Sequence, residues 1–292
     1  MTKRYDVDGF CVDHARYPQP ANLHALIACA CENCCAAGEA LGFDASRLVV
    51  AAREARDALR EIDEEGVRRA LASELRGPDL LPALGVPRAA WEWLLMRAAL
   101  LAQRMAAFRS RVQDVRQGLP FGSDVFAPSI ALPGGHDYGR WEAATDFLTG
   151  GSSAGGVVGW ATGATNAAAE WAQALTELAP EVDEEDAVEL ALRLLSQDDV
   201  ADVPRHIVAL REGTLPLAAL YEREVARLVA VTSGRVPLYP PISAGGNPDL
   251  VRRLGASVQA HGCHGAMVTV APDNEQSLPA LRDGLGPLAK YY

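Results

Sequence analysis

Two places in this sequence hold residue types that could do chemistry. The first is Asp13, which follows the apolar run Val7–Val12 (VDGFCV), with Arg16 three residues on. A carboxylate beside a guanidinium is held ionised by charge proximity. An ionised carboxylate at a strand end can serve as nucleophile or base, and a second carboxyl must then supply the acid. Candidates at other strand ends are Asp137, Asp273 and Glu275. Asp137 is preferred, because its Gly-Gly-His-Asp-Tyr loop offers His136 and Tyr138 as hydrogen-bonding neighbours. Each has a plainer reading. Asp13 with Arg16 is also what a structural ion pair looks like, and Tyr17-Pro18 a chain turn. Asp137 suits an Asx-turn, while Asp273 and Glu275 suit the cap of a final helix.

The second place is a cysteine cluster. Of the six cysteines, Cys29, Cys31, Cys34 and Cys35 lie together, and Cys11 and Cys263 lie apart. The Cys29, Cys31, Cys34 spacing can bring three thiolates onto one metal, with Cys35, Cys11 or His24 as fourth ligand, and zinc is the usual occupant. A strong zinc signature has two separated CxxC pairs; here there is one cluster. The plain alternative is a set of small buried hydrophobes at an Ala-rich helix start. His261 and His264 bracket Cys263 just before the last strand and read as loop residues. No redox cofactor is implied.

These residues need elements to position them. Five short apolar runs bounded by turn residues read as strands: Val7–Val12, Asp124–Ile130, Thr145–Thr149, Val236–Ile242 and Gly265–Val270. Most lack strict alternation, as strands buried on both faces do. Helical spacing fills the intervals. One helix opens at Asp44-Ala45-Ser46 and carries Leu48, Val49, Ala52, Ala55, Leu59 and Ile62. Pro87–Gln117 carries an apolar face from Trp91 to Phe108 and Val115, with Met96 and Met105 as core. Asp183 followed by Asp186 resembles an N-cap of a helix running to about Leu195. Further helices are expected at Ala164–Glu177, Leu215–Val231, Pro248–Ala260 and Gln276–Leu288. Gly150–Gly163 reads as a loop, without the glycine spacing of a phosphate cradle. Strand–helix alternation over 1–292 predicts one parallel α/β domain.

Composition narrows the partners. The chain of 292 residues has a net charge of -11, with 49% apolar and 22% charged residues. Such an acidic field repels a polyphosphate backbone, so nucleic acid is not expected as a partner. No apolar run reaches the ~18 residues of a membrane span. Met1–Phe10 (MTKRYDVDGF) lacks the apolar core of a secretory signal, and the cysteines are bunched rather than spread as a disulfide framework. A cytoplasmic, reducing compartment is expected.

The stretch Tyr5–Pro18 (YDVDGFCVDHARYP) joins Asp8, Gly9, Phe10, Asp13, Arg16, Tyr17 and Pro18 in a D-G-apolar-x-x-D-x-x-R-Y-P pattern. This resembles the fourth strand of glycoside-hydrolase-like (β/α)-barrel proteins. Cys29–Cys34 (CACENC) and Asp124–Tyr138 (DVFAPSIALPGGHDY) are similar to the cysteine cluster and the next strand and loop of uncharacterised members. The resemblance covers most of the chain, weakly outside these patches. It implies a TIM-type barrel, here incomplete, with about five of eight strands and the first three missing. The start at Met1 is then misplaced, or the chain is a half-barrel that completes itself by pairing. It also implies action on, or binding of, a carbohydrate. Asp13 is then nucleophile or stabilising carboxylate and Asp137 the acid, with the carboxyl separation deciding the stereochemistry. Arg16, Tyr17, His136 and Tyr138 would contact substrate. The chain departs from the pattern at Gly150–Gly156, where small residues replace a bulkier strand end that shapes the substrate site. The alternatives are a non-catalytic partial barrel acting through self-association as a homo-oligomer, and a protein organised by structural zinc.

Overall fold

Short apolar runs flanked by glycine and proline become short strands. In the computed structural model, residues 6–18, 22–23, 26–27, 29–150, 159–245, 247–270 and 275–290 are described. The strands are β1 (Phe10–Val12), β2 (Phe121–Val125), β3 (Phe147–Gly150), β4 (Leu238–Tyr239), β5 (Pro241–Ser243) and β6 (Met267–Thr269). All described pairings are parallel, and neighbours in the sheet are neighbours in sequence: β1-β2-β3-β4, then β5-β6.

The expected fourth strand is divided. Pro240 separates β4 from β5, and neither it nor Pro241 has an N–H for a ladder. The lower half pairs with β3 (Leu148 opposite Leu238) and the upper half with β6 (Ile242 opposite Val268). The second expected strand is displaced: β2 ends at Val125, and Pro128–Ile130 closes into a single 3-10 turn. The described strands make a four-stranded sheet and a two-stranded pair, not a closed ring.

The helices are α1 (Glu32–Ala40), α2 (Ala45–Ala58), α3 (Glu64–Ala72), α4 (Ala89–Val115), α5 (Tyr138–Ala144), α6 (Gly159–Leu178), α7 (Glu184–Leu194), α8 (Ile207–Glu212), α9 (Leu217–Val231), α10 (Pro248–Ala260) and α11 (Leu278–Leu285). Side-chain caps set several of their starts. Asp44 accepts from Arg47 N, Asp63 from Gly66 N and Asn247 from Asp249 N, the usual way to satisfy a free helix N–H. Asp183 precedes α7 as expected but makes no cap hydrogen bond; Glu184, Glu185 and Asp186 instead put negative charge in the first turn, where the helix dipole favours it. Gly159–Gly163, expected as loop, is the first part of α6, and 151–158 lie outside the described residues.

Two apolar clusters hold the elements together. One joins α2, α3, α6 and α7 with the start of α4, through Leu48, Val67, Trp93 and Leu190. The other wraps the sheet with α5, α9, α10 and α11, through Phe121, Trp141, Leu148, Val225 and Leu254. The helix α4 belongs to both and then outruns them. Phe108 is 51% and Val115 47% exposed, so of the apolar face expected to continue to Val115 only Val112 still packs on the core beyond Met105. Gly122 serves the sheet directly: a Cβ there would lie 2.3 Å from the Phe147 ring, so β2 and β3 pack closely only with glycine at that position.

Candidate carboxylate site

Strand register builds the site. Both strands read Phe-x-x-Asp, FCVD in β1 and FGSD in β2. They pair in parallel with Phe10 opposite Phe121 and Val12 opposite Ser123. The next residue on each strand is an aspartate, so Asp13 and Asp124 stand side by side at the carboxyl end of the sheet. Ser123 fixes this register by donating from Oγ to the Val12 carbonyl at 2.9 Å. Ligand-capable atoms of Asp13, His14 and Asp124 all lie within 4.8 Å of one another.

The two carboxyls have opposite electrostatics. Asp124 is half-buried, and burial first, then the Asp13 carboxylate, push its pKa up to about 8. Asp13 is pulled below the usual carboxylate range, first by the hydrogen bond it accepts from Asp124, then by His14. Its carboxylate lies 2.6 Å from His14 Nδ1. The proton the pair shares is therefore held by Asp124, which donates to the Asp13 carboxylate, as expected of like charges sharing a site. His14 holds its place in a left-handed conformation with φ 58°, a conformation that costs a non-glycine residue about 1–3 kcal/mol. Cys11 faces the pair from β1, and burial followed by the two carboxylates raises its thiol to about 11.

The segment after Asp13 is braced by aromatic groups. Arg16 does not pair with Asp13, as had been expected; its guanidinium lies 5.0 Å from the centre of the Phe126 ring. Tyr17 donates its backbone N–H to Gly134 O at 2.9 Å, and its ring lies beneath the Arg97 guanidinium at 3.8 Å. His136 is buried. Its Nδ1 accepts from Phe126 N at 2.9 Å, and its Nε2 lies 3.1 Å from Ala15 O, which fixes the Nε2–H tautomer. Burial drives its pKa down to about 4. This neutral imidazole thus ties the chain after β1 to the chain after β2. Tyr138 donates its hydroxyl to Phe126 O and is also buried. Expected as substrate contacts, His136 and Tyr138 have their polar atoms committed within the protein, and they set the loop beneath the carboxylates.

Asp137 is placed as a cap. It is the N-cap of α5, accepts from Arg140 N and pairs with Arg140 Nε at 3.1 Å. The carboxyl brought to Asp13 is Asp124, in the sequence only the first residue of an expected strand. Glu275 begins a 3-10 turn before α11, and Asp273 and His24 lie outside the described residues. His264 accepts from Leu238 N at the start of β4, the opposite end of the sheet, as expected for a loop residue. His261 is the C-cap of α10.

The cysteine cluster also forms. Cys29 Sγ lies 3.5 Å from Cys31 Sγ and 3.6 Å from Cys34 Sγ. Cys29 and Cys31 are exposed, while Cys34 is half-buried and packs against the helical cluster, so the alternative of small apolar side chains describes Cys34 but not the other two. Cys31 heads α1, where the backbone N–H groups of Cys34 and Asn33 hold its thiol below the ordinary value, with Cys29 assisting. Cys34 is raised to about 12, first by burial. Cys35 packs against the helical cluster.

Compared with known proteins, the chain matches no family model, no curated protein and no solved structure.

Proposed function

We propose that this chain is a glycoside hydrolase-like protein that cleaves a glycosidic bond with Asp13 and Asp124. The observation that carries this reading is the pair itself: one ionised and one protonated carboxyl, hydrogen-bonded to each other at the carboxyl end of a parallel sheet. Asp124 takes the acid role expected of Asp137. It donates its proton to the leaving oxygen while Asp13 attacks the anomeric carbon. Asp124, now a base, then takes a proton from water, and the hydroxide oxygen displaces Asp13 from the sugar. Double displacement needs the two carboxyls about 5–5.5 Å apart and direct attack by water about 6.5–9.5 Å; the hydrogen-bonded pair is closer than either and reaches the shorter spacing with the smaller opening, which supports the double-displacement course. The sequential order of parallel strands supports a (β/α)-barrel arc, a fold whose sites gather at the carboxyl ends of its strands. The substrate is a neutral carbohydrate, in keeping with the acidic chain. No described helix is long and apolar enough to cross a membrane. Six unpaired cysteines fit a reducing, cytoplasmic setting.

The test is hydrolysis of a panel of aryl glycosides and oligosaccharides by wild type, D13N and D124N. The reading expects cleavage with retained anomeric configuration, lost in both variants. Cleavage that survives D13N would sink it, as would no cleavage of any substrate by folded wild type.

A second reading is carried by the strand edges. Among the described residues, β1 and β6 each pair on one side only, and an open edge invites pairing with another chain. On this reading the partial barrel completes itself as a homo-oligomer. Light scattering during gel filtration separates the two: a monomer at micromolar concentration removes the second reading.

A further inference from the structure

We propose that Cys29, Cys31 and Cys34 hold one thiophilic divalent cation of the zinc class, and that the buried Arg97 guanidinium is its counter-charge. The sulfur positions are the first support. Tetrahedral coordination with Zn–S of about 2.3 Å sets neighbouring sulfurs about 3.8 Å apart. Cys29 Sγ stands 3.5 and 3.6 Å from its two partners, and all three sulfurs lie within 4.8 Å of one another. A disulfide would need a separation of about 2.05 Å. The backbone prepares the site as well. Cys29 turns through a left-handed conformation with φ 63°, and Cys31 opens α1, so backbone N–H groups of Asn33 and Cys34 face its sulfur.

Arg97 is the independent observation. It is 1% exposed, and among the described residues none of its three guanidinium nitrogens meets a carboxylate or a well-aligned acceptor, the Tyr17 phenol being the one polar neighbour in loose reach. It lies over the Tyr17 ring at 3.8 Å, and the ionisable groups that face it are Tyr17, Cys29 and Cys34. A buried cation without an anion is strongly unfavourable. Three thiolates around a divalent cation carry one net negative charge, which Arg97 balances. Binding releases the thiol protons to solvent as the three metal–sulfur bonds form. Solvent reaches the exposed Cys29 and Cys31, so water completes the fourth position. The cation then clamps the chain between β1 and α1, with Tyr17 joining the cluster to the Gly134 loop. This site is separate from the Asp13–Asp124 pair and does not depend on its chemistry.

The experiment titrates Co²⁺ into the full chain after metal removal, reading the thiolate-to-cobalt charge-transfer band, with affinity from competition against a chromophoric chelator. One equivalent per chain is expected. The band should be lost in C31S and C34S and kept in C263S. R97M should weaken binding by about 10–100-fold, the range for partners outside the ligand shell, and R97K should restore most of it. Because R97M alters a buried position, circular dichroism checks its fold. Thiol counting on wild type gives a second measure, with three of the six cysteines expected to become protected when Co²⁺ binds. A titration with no charge-transfer band, or one unchanged by C31S and C34S, overturns the site. A folded R97M that binds Co²⁺ as tightly as wild type overturns the role of Arg97.

Discussion

The two ends of the sheet treat their aspartates differently. At the amino end, Asp146 accepts from Phe121 N at 3.0 Å and is held by Arg109 from α4. There the carboxylate has a cation for a partner. At the carboxyl end, Asp13 and Asp124 meet each other instead, and the nearest guanidinium, Arg16, is turned onto Phe126. One end is arranged for stability. The other keeps two like groups together and settles the conflict with a shared proton, an arrangement that folding alone would not favour and that suits proton transfer.

This contrast can be broken or sharpened by experiment. The largest effect is expected from D124N, which removes the acid: hydrolysis should fall about 10²–10⁴-fold, while the melting temperature holds or rises because a like-charge conflict is gone. The mirror substitution at the amino end, D146A, should do the reverse. It strands Arg109 and the Phe121 N–H, so stability should drop by about 1–3 kcal/mol in denaturant titrations, with the activity of the folded fraction unchanged. The pH dependence of stability should show the same asymmetry. Between about 4 and 8 folded Asp124 keeps a proton that the unfolded chain has released. Its contribution is therefore complete below about 4 and is lost as pH rises toward 8, and D124N should flatten that decline. His136 works in the other sense. Its folded pKa of about 4 lies below the ordinary 6.5, so stability should fall as pH drops through that window, and H136Q should lessen the acid-side loss. Equal pH profiles for wild type and both variants would dissolve the contrast.

Much of the strand pattern was legible because apolar runs bounded by glycine and proline are local signals. All five expected runs contain strand, and the long helices lie where helical spacing placed them. The splitting of Val236–Ile242 was also visible in principle, since Pro240 and Pro241 have no N–H to give. The apolar spacing through Phe108 and Val115 misled, because periodicity shows which side of a helix is apolar but not where its neighbours stop. At the site, Asp13 and the three cysteines were legible from local spacing. Asp124 was not, because its importance comes from pairing across strands far apart in sequence. The repeated Phe-x-x-Asp of FCVD and FGSD was the signal that could have revealed it. Arg97 was hidden for another reason: an arginine on a long helix reads as solvated until packing buries it. Asp137 looked chemical in its Gly-rich loop, yet the same oxygen atoms that make a carboxylate reactive make it a good helix cap.

The divided strand has a consequence for where the carboxylates sit. Val12, Ser123, Leu148 and Leu238 lie on one level across the sheet. From Leu238 the chain runs on through its two prolines to Ser243, level with Thr269, a contour of about 17 Å at roughly 3.3 Å per residue. The strand rim is a stair rather than a ring, lowest at Asp13 and highest beside β6. The Asp13–Asp124 pair therefore sits at the low side of the described strands, with β5 and β6 rising beyond it.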